Sequence, residues 1–298
     1  MENSKACTNH LGVPNRLVHL LRNYLTNRTF RYRIDGTLST ARPIRAGVPQ
    51  GSSLSPLLYA LFTSDIPQDF HKVHIAQFAD DTAVYATDIN PNTIRARLQN
   101  AADRLGDWFQ RWRIEVNPEK SAAVLFSGFR RYPRWNRKQL TLYGRPVPWQ
   151  DKVKYLGVTF DKRMSFAAHI RRVRKKAAFV LSRLYPMISG KSKMSLRHKV
   201  TLYKICIRPI MTYASPVFAH LPHRSFSSLQ KLQNKFMRMA TNCPWFVRNS
   251  DLHRDLDLPT IASYFKRLSK SYFKRTESHP NPLVVKACSY NAQSKRRS

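Results

Sequence analysis

Two neighbouring carboxylates are the residues of this chain best placed to do chemistry. Asp80 and Asp81 close the segment Phe78-Ala79-Asp80-Asp81, flanked by the short apolar runs Val73–Phe78 and Thr82–Ala86. That pattern predicts two strands joined by a tight reversal, with both acids at the bend. Adjacent like charges repel, and neither can be buried without counter-charge. A divalent cation would neutralise them. Oxygen ligands suit Mg²⁺, which takes one or two carboxylates and completes its shell with substrate phosphates. Two such ions, roughly 3.5–4 Å apart, would activate an attacking 3′-oxygen and stabilise a leaving pyrophosphate. Taken alone, the pair reads first as an ordinary polar turn capping a hairpin.

A second candidate lies about 30 residues upstream, in Ala46-Gly47-Val48-Pro49-Gln50-Gly51-Ser52-Ser53-Leu54-Ser55-Pro56. Glycines on both sides of Pro49-Gln50 let backbone approach a ligand closely. A helix N-terminus follows, with free N–H groups for an anion. Gln50 can hydrogen-bond a base edge or a sugar. The alternative is a plain strand-to-helix turn.

The elements that must position these residues follow from periodicity. Val13, Leu17, Leu20, Leu21 and Leu25 recur at helical spacing, which predicts a helix within Gly12–Phe30. Asp35-Gly36 predicts a hairpin turn after Phe30–Ile34, with a return strand over Arg42–Val48. A helix is expected from about Ser53 to Ser64, burying Leu54, Leu57, Leu58, Leu61 and Phe62, with Pro56 in its first turn. Asn92–Arg113 is amphipathic, with Ile94, Leu98, Ala101, Leu105, Trp108 and Trp112 inward. Ala122–Phe126, Gln139–Tyr143 and Val153–Phe160 read as strands, with Gly144 a turn. From Ser165 the period becomes helical. Ile170, Val173, Ala177, Leu181 and Leu184 form one stripe, and further helices are expected around Leu196–Ile207 and Phe226–Ala240.

Composition bounds the class of function. The 298 residues carry 52 Lys+Arg against 17 Asp+Glu, a formal net charge of +35. Hydrophobic residues are 42% of the chain, enough for a packed core and too many for wholesale disorder. Such a charge costs self-repulsion unless a polyanion is near, and phosphates attract Lys and Arg by counterion release. A folded nucleic-acid binder is the leading class, ahead of a lipid-binding or merely basic protein. Between Lys162 and Lys199 stand 12 Lys or Arg and no acid. No apolar run approaches the roughly 18 residues of a membrane span, so no membrane partner is expected. Cys7, Cys206, Cys243 and Cys288 have neither zinc nor redox spacing and read as free, buried thiols.

In combination the motifs are specific. Pro-Gln-Gly-Ser before an apolar helix, then Phe-Ala-Asp-Asp between strands, resembles the reverse transcriptases of non-LTR retrotransposons, particularly the jockey-like elements of arthropods. Other landmarks fall in that family's order. Asn117-Pro118-Glu119-Lys120-Ser121 resembles the palm segment with its lysine, and Lys154-Tyr155-Leu156-Gly157-Val158 the primer-grip hairpin. Ile207-Arg208-Pro209 through Tyr213-Ala214-Ser215-Pro216-Val217-Phe218 resembles the thumb, and Leu229–Lys235 the helix beyond it. The likeness runs from about Gly12 to Tyr264.

The resemblance implies an α+β fold: a right-hand polymerase palm, an antiparallel sheet with packed helices, followed by an α-helical thumb. The palm would occupy residues 1–163, the thumb and C-terminal region 164–275, and a basic, disordered tail 276–298. It implies RNA-directed DNA polymerase activity, joining a dNTP to a primer 3′-hydroxyl with two Mg²⁺ ions, an RNA template and a DNA primer or target. Asp80 and Asp81 would hold the metals. Lys120 would neutralise or protonate the leaving pyrophosphate, although a solvated surface lysine is an equal reading. Pro49, Gln50, Gly51, Ser52 and Phe78 would touch nucleotide or template, and Tyr155, Leu156 and Gly157 would steady the primer. Arg171, Arg172, Arg174, Lys175 and Lys176 would follow the nucleic-acid backbone. Nuclear residence is expected, with the runs Arg171–Lys176 and Lys295–Arg297 in support.

One departure matters. The family's third metal-binding aspartate precedes the first helix, where this chain reads Glu2-Asn3-Ser4-Lys5-Ala6-Cys7. Asp35 lies at a hairpin turn beyond that helix, and Glu2 is no credible substitute. The fingers are absent too. The chain by itself is therefore expected to polymerise poorly and to need upstream sequence. The rival reading is a catalytically dead nucleic-acid-binding remnant of the same element, and a structural RNA-particle protein ranks third.

Overall fold

The computed structural model describes residues 14–127 and 138–289. They form two compact units, one built from the described residues up to Ala123 and from 138 to Trp149, the other from 124–127 and Gln150 onward. Helices and short antiparallel ribbons alternate in the first unit. Helices dominate the second, so the chain is α+β. Among the described residues the strands form five separate two-stranded ribbons rather than one palm sheet.

In the first unit, α1 spans Asn15–Leu25 behind Pro14 and ends where Asn27 turns left-handed (φ 55°). It is shorter than the predicted span, and its leucine stripe is not buried: Leu17 and Leu20 are exposed. Val13 falls outside the described residues. A stripe marks which helix face is apolar, not what covers it. The strands β1 (Thr29–Phe30), β2 (Arg33–Ile34), β3 (Thr37–Leu38) and β4 (Arg42–Pro43) form nested pairs, β2 with β3 and β1 with β4. Asp35 (φ 46°) and Gly36 (φ 85°) make the expected hairpin turn. The return strand stops at Pro43, which lacks the N–H a longer ladder would use.

Helix α2 (Ser55–Phe62) carries Pro56 in its first turn as expected. Its predicted apolar face is mostly open, since Leu54, Leu57 and Phe62 remain exposed and only Ser55 is buried. The hairpin β5 (Val73–Phe78) and β6 (Asp81–Ala86) follows, in register Val73↔Ala86 through Phe78↔Asp81. Asn90 caps α3 (Pro91–Arg111) by accepting from the Asn92 N–H at 2.9 Å. Leu105 and Trp108 of α3 bury against Ile66, with Ile75 and Val84 of the hairpin packed on that small cluster. Asp65 accepts from both indole N–H groups, Trp108 at 3.3 Å and Trp112 at 3.1 Å. Residues 122–126 make only an isolated bridge, Ala123 to Trp149, in place of the predicted strand. Beyond them β7 (Leu140–Leu142) and β8 (Arg145–Val147) close on Tyr143-Gly144.

The second unit opens with β9 (Lys152–Tyr155) and β10 (Val158–Asp161), reversing at Leu156-Gly157. Val153–Phe160 is thus a hairpin, the local shape that the resemblance implies over Lys154–Val158. It belongs to the helical unit because Val158 and Phe160 pack into that unit's core. The division accordingly falls at residue 150 rather than at 163. The helices are α4 (Ala167–Arg183), α5 (Tyr185–Ile188), α6 (Leu196–Leu202), α7 (Arg208–Thr212), α8 (Ser215–Phe218), α9 (Ser227–Thr241), α10 (Asn249–Asp255), α11 (Ile261–Glu277) and α12 (Pro282–Cys288). A π-helical turn, Tyr203–Ile207, joins α6 to α7.

The predicted stripe Ile170, Val173, Ala177 and Leu181 is buried. Tyr203 stacks on Phe236 with centroids 4.4 Å apart, and Phe218, Phe226 and Phe265 form an edge-on cluster. Of the span expected as a tail, α11 takes in Thr276 and Glu277, and α12 follows. The side chain of Thr276 is buried, and α12, which begins at Pro282 under an Asn281 cap, packs on α11. The rest of that tail, including Lys295–Arg297, lies outside the described residues, as do Glu2 and Cys7. No helix among the described residues is long and apolar enough to cross a membrane.

Two polar groups fasten the hairpin β9–β10 to α4. The Asp161 carboxylate accepts from the N–H groups of Arg163, Ser165 and Phe166 and from the Ser165 hydroxyl. Burial alone would raise its pKa, but these donors outweigh it and hold the group below the ordinary carboxylate value. His169 Nδ1 accepts from the Thr159 N–H at 3.3 Å. Burial, and next the Arg172 guanidinium, lower the His169 pKa to about 4. A base with a depressed pKa favours the fold while it is neutral. Its contribution is complete above the ordinary value of 6.5 and is lost as pH falls toward 4. Urea midpoints should therefore decline over that window. His169→Gln, which keeps an acceptor for Thr159 but does not titrate, should flatten the decline. An unchanged slope in the variant would reject His169 as its source.

Candidate active site

The Asp80–Asp81 pair sits where the sequence places it, at the end of β5–β6. Ala79 and Asp80 are the two loop residues, and Asp81 is the first residue of β6, paired with Phe78. Ala79 is left-handed (φ 51°). Three other hairpins of the chain close on a residue followed by glycine, both at positive φ: Asp35-Gly36, Tyr143-Gly144 and Leu156-Gly157. The acidic hairpin has Asp80 where the others have glycine. Both carboxylates are exposed to water, and Phe78 beside them is 64% exposed. No ion pair ties up either carboxylate among the described residues.

The Pro49–Ser52 segment is a locked turn leading into α2. Ser52 Oγ accepts from the Tyr24 hydroxyl at 2.7 Å and from the Leu54 N–H at 3.3 Å. Ser55 Oγ donates to the Pro49 carbonyl at 2.5 Å, and Arg28 donates to the carbonyls of Leu25 and Gly47. Gly47 (φ 81°) and Gly51 (φ 85°) are left-handed and face open space, so a side chain there would meet backbone strain rather than a clash. Gln50 is exposed. Helix α2 follows this turn and carries Tyr59. Burial raises the pKa of Tyr59, and the nearby Asp80 carboxylate raises it further.

Lys120 is exposed in a turn held by Asn117, whose carboxamide accepts from the N–H groups of Glu119 and Lys120. No hydrogen bond or ion pair among the described residues joins its side chain to Asp80 or Asp81. That turn, with Glu115 and Arg145, lines a shallow groove.

In the second unit the tip of β9–β10 is gripped from both sides. The Tyr213 hydroxyl donates to the Leu156 carbonyl at 3.0 Å, and Arg172 donates to the Gly157 carbonyl. The Tyr213 ring lies against Gly157, where an added Cβ would come within 3.1 Å of it. Arg172 thus spends its guanidinium on the hairpin. Arg171, Arg174, Lys175 and Lys176 stay exposed on the outer face of α4.

Sequence reading missed Tyr24, Arg28, Tyr59, Arg172 in its hairpin role and Tyr213. The Tyr24–Ser52 and Tyr213–Leu156 bonds span 28 and 57 residues, which no local pattern reports. The only available signal was that Tyr213 falls inside a segment already singled out.

The donor set fits a divalent cation in part. Asp80 and Asp81 offer hard oxygen ligands open to solvent. No group of three or more His, Cys, Asp or Glu that could hold a metal occurs among the described residues.

Comparison with known proteins bears on the same residues. The family model for reverse transcriptase (RNA-dependent DNA polymerase) matches residues 2–160. The chain is 37% identical over 276 residues to a probable RNA-directed DNA polymerase from transposon X-element of Drosophila melanogaster, covering 91% of this chain and 30% of that protein. It is 32% identical over 280 residues to the RNA-directed DNA polymerase from mobile element jockey of the same organism, covering 92% and 30%. It is 34% identical over 272 residues to a probable RNA-directed DNA polymerase from transposon BS, covering 89% and 30%. The chain therefore spans 30% of the length of these relatives. No solved structure matches it. With Pro49–Ser52 and Asp80–Asp81 both inside the matched span, the chain belongs to the reverse transcriptase family.

Proposed function

We propose that this chain is the palm and thumb portion of an RNA-directed DNA polymerase from a non-LTR retrotransposon. The reaction is attack of a primer 3′-hydroxyl on the α-phosphate of a deoxynucleoside triphosphate, with RNA as template. The observation that carries it is the solvent-open Asp80–Asp81 pair at a glycine-free hairpin end, with Asp80 acting on Tyr59 of the helix that Pro49–Ser52 leads into. Strand-borne acids, and a turn that exposes Gln50 ahead of a helix, are groups that suit a triphosphate and a template base.

Asp80 and Asp81 would hold Mg²⁺. When bound, the cation supplies charge neutralisation for the phosphates and lowers the hydroxyl's pKa. Gln50, Gly51 and Ser52 would bear on nucleotide or template, and Phe78 would pack beside the primer end. Tyr155, Leu156 and Gly157 would steady the primer, held in turn by Tyr213 and Arg172. Arg171, Arg174, Lys175 and Lys176 would neutralise backbone phosphates. Lys120, if it reaches the leaving pyrophosphate, would do so from its exposed turn. Priming on a chromosomal target would require nuclear residence.

The second reading is a nucleic-acid-binding remnant without chemistry, and the metal affinity of the acid pair tells the two apart. Two carboxylates without a third should hold Mg²⁺ weakly and position it loosely. Mn²⁺ should broaden resonances around Phe78–Thr82, and Asp80→Asn with Asp81→Asn should abolish the effect. Broadening that survives the double substitution would remove these acids from the metal site.

Primer extension on an RNA template with Mg²⁺ separates the readings. Trace extension is expected, reduced by about 10²–10³-fold by Asp80→Asn or Asp81→Asn. Binding of the same primer–template should persist in both variants and weaken steeply with salt. Extension indifferent to both substitutions would overturn the polymerase reading.

A further inference from the structure

The loop after α9 presents two aromatic side chains to water. Pro244-Trp245-Phe246-Val247 is a β-turn closed by the Val247 N–H on the Pro244 carbonyl at 3.3 Å. Trp245 and Phe246 are its corner residues, 87% and 69% exposed, with ring centroids 6.2 Å apart at 80°. The turn is built rather than loose. Arg238 of α9 donates to the Pro244 carbonyl and to the Val247 carbonyl, each at 2.6 Å, and to Asn249 Oδ1 at 3.1 Å. At its base Asn242 is left-handed (φ 56°) and packs on Gly190, where a Cβ would come within 2.5 Å of the Asn242 Cβ.

A single guanidinium thus fixes both ends of a turn whose corners carry two large apolar rings into solvent. No stability argument explains that choice, since exposed Trp and Phe gain nothing by burial and polar corner residues would cost less. The electrostatic setting names the ligand. From Lys162 to Ser250 there are 19 Lys or Arg and no Asp or Glu. Arg248 is exposed directly after the turn. The first acids beyond it, Asp251 and Asp255, pair with Arg254 at 3.8 and 3.1 Å.

Exposed rings beside the exposed Arg248, on a stretch of chain that holds no acid of its own, fit a ligand with flat π-faces and phosphates. Duplex ends aside, such faces are accessible only in single strands. We infer that Trp245 and Phe246 form a stacking platform for the bases of single-stranded nucleic acid, with Arg248 on the adjoining phosphate. The platform does not depend on the Asp80–Asp81 chemistry. Binding without metal or nucleotide tests it separately.

The experiment titrates the full chain with oligothymidylate of about 20 nucleotides and with a blunt DNA duplex of equal length, across a salt series. Trp245→Ala with Phe246→Ala should weaken single-strand binding by about tenfold or more and leave duplex binding unchanged. The salt slope should stay as it was, because stacking releases no counterions. Arg248→Gln should lower that slope. Trp245→Phe with Phe246→Tyr, which keeps two rings, should retain most of the affinity. Equal losses on both ligands, or no loss on the single strand, would overturn the inference. So would loss of self-association with single-strand binding intact, which would mark the pair as a protein contact.

Discussion

Asp80 and Asp81 can stand side by side only where water reaches both. That requirement governs the first unit. The hairpin must be held firmly enough to aim two acids, yet its end must stay outside any core. The chain meets both demands by packing only the near part of the ribbon: Val73 is buried and Ile75 and Val84 rest on the Leu105–Trp108 cluster of α3, while Phe78, Asp80 and Asp81 project beyond it. The small cluster suffices because Trp108 and Trp112 donate to Asp65, so the aromatic wall is fixed by polar bonds as well as contact.

The second unit answers the opposite problem. It carries most of the excess cation, and its helices turn the Lys and Arg outward around a core of Phe166, Tyr203, Phe218, Phe236 and Phe265. Few acids are available to pair with them, so polar fastening uses backbone instead. Buried Lys199 donates to the Ser189 carbonyl, Arg238 to those of Pro244 and Val247, and Arg172 to that of Gly157. Cations bound to carbonyls keep their full charge, which leaves the surface potential available to a polyanion.

What the sequence disclosed follows from the range of each cause. The α3 and α4 stripes, the Asp35-Gly36 turn and the acidic bend were legible because 3.6-residue periodicity and turn chemistry act within a few residues. The ordered motifs identified the family for the same reason, since each is a local string. The covered faces were not legible. The stripes of α1 and α2 are well formed but stay largely exposed, because burial depends on a partner and not on the stripe. The grouping of the hairpin β9–β10 with the helices was not legible, because Val158 and Phe160 reach a core made by residues far downstream. The extension to α12 was hidden by the basic composition of the tail, which says nothing of the packing on α11.

The hairpin turns themselves set position 80 apart. A two-residue loop with glycine relieves strain at positive φ, and three ribbons use it. At the fourth, the first loop residue, Ala79, is left-handed like Asp35, Tyr143 and Leu156, but Asp80, which stands where the others have a left-handed glycine, is not at positive φ. The adjacent Asp81 adds repulsion. The turn that bears the paired carboxylates is therefore built differently from the other three hairpin turns among the described residues, with a second loop position that accepts a side chain without left-handed strain.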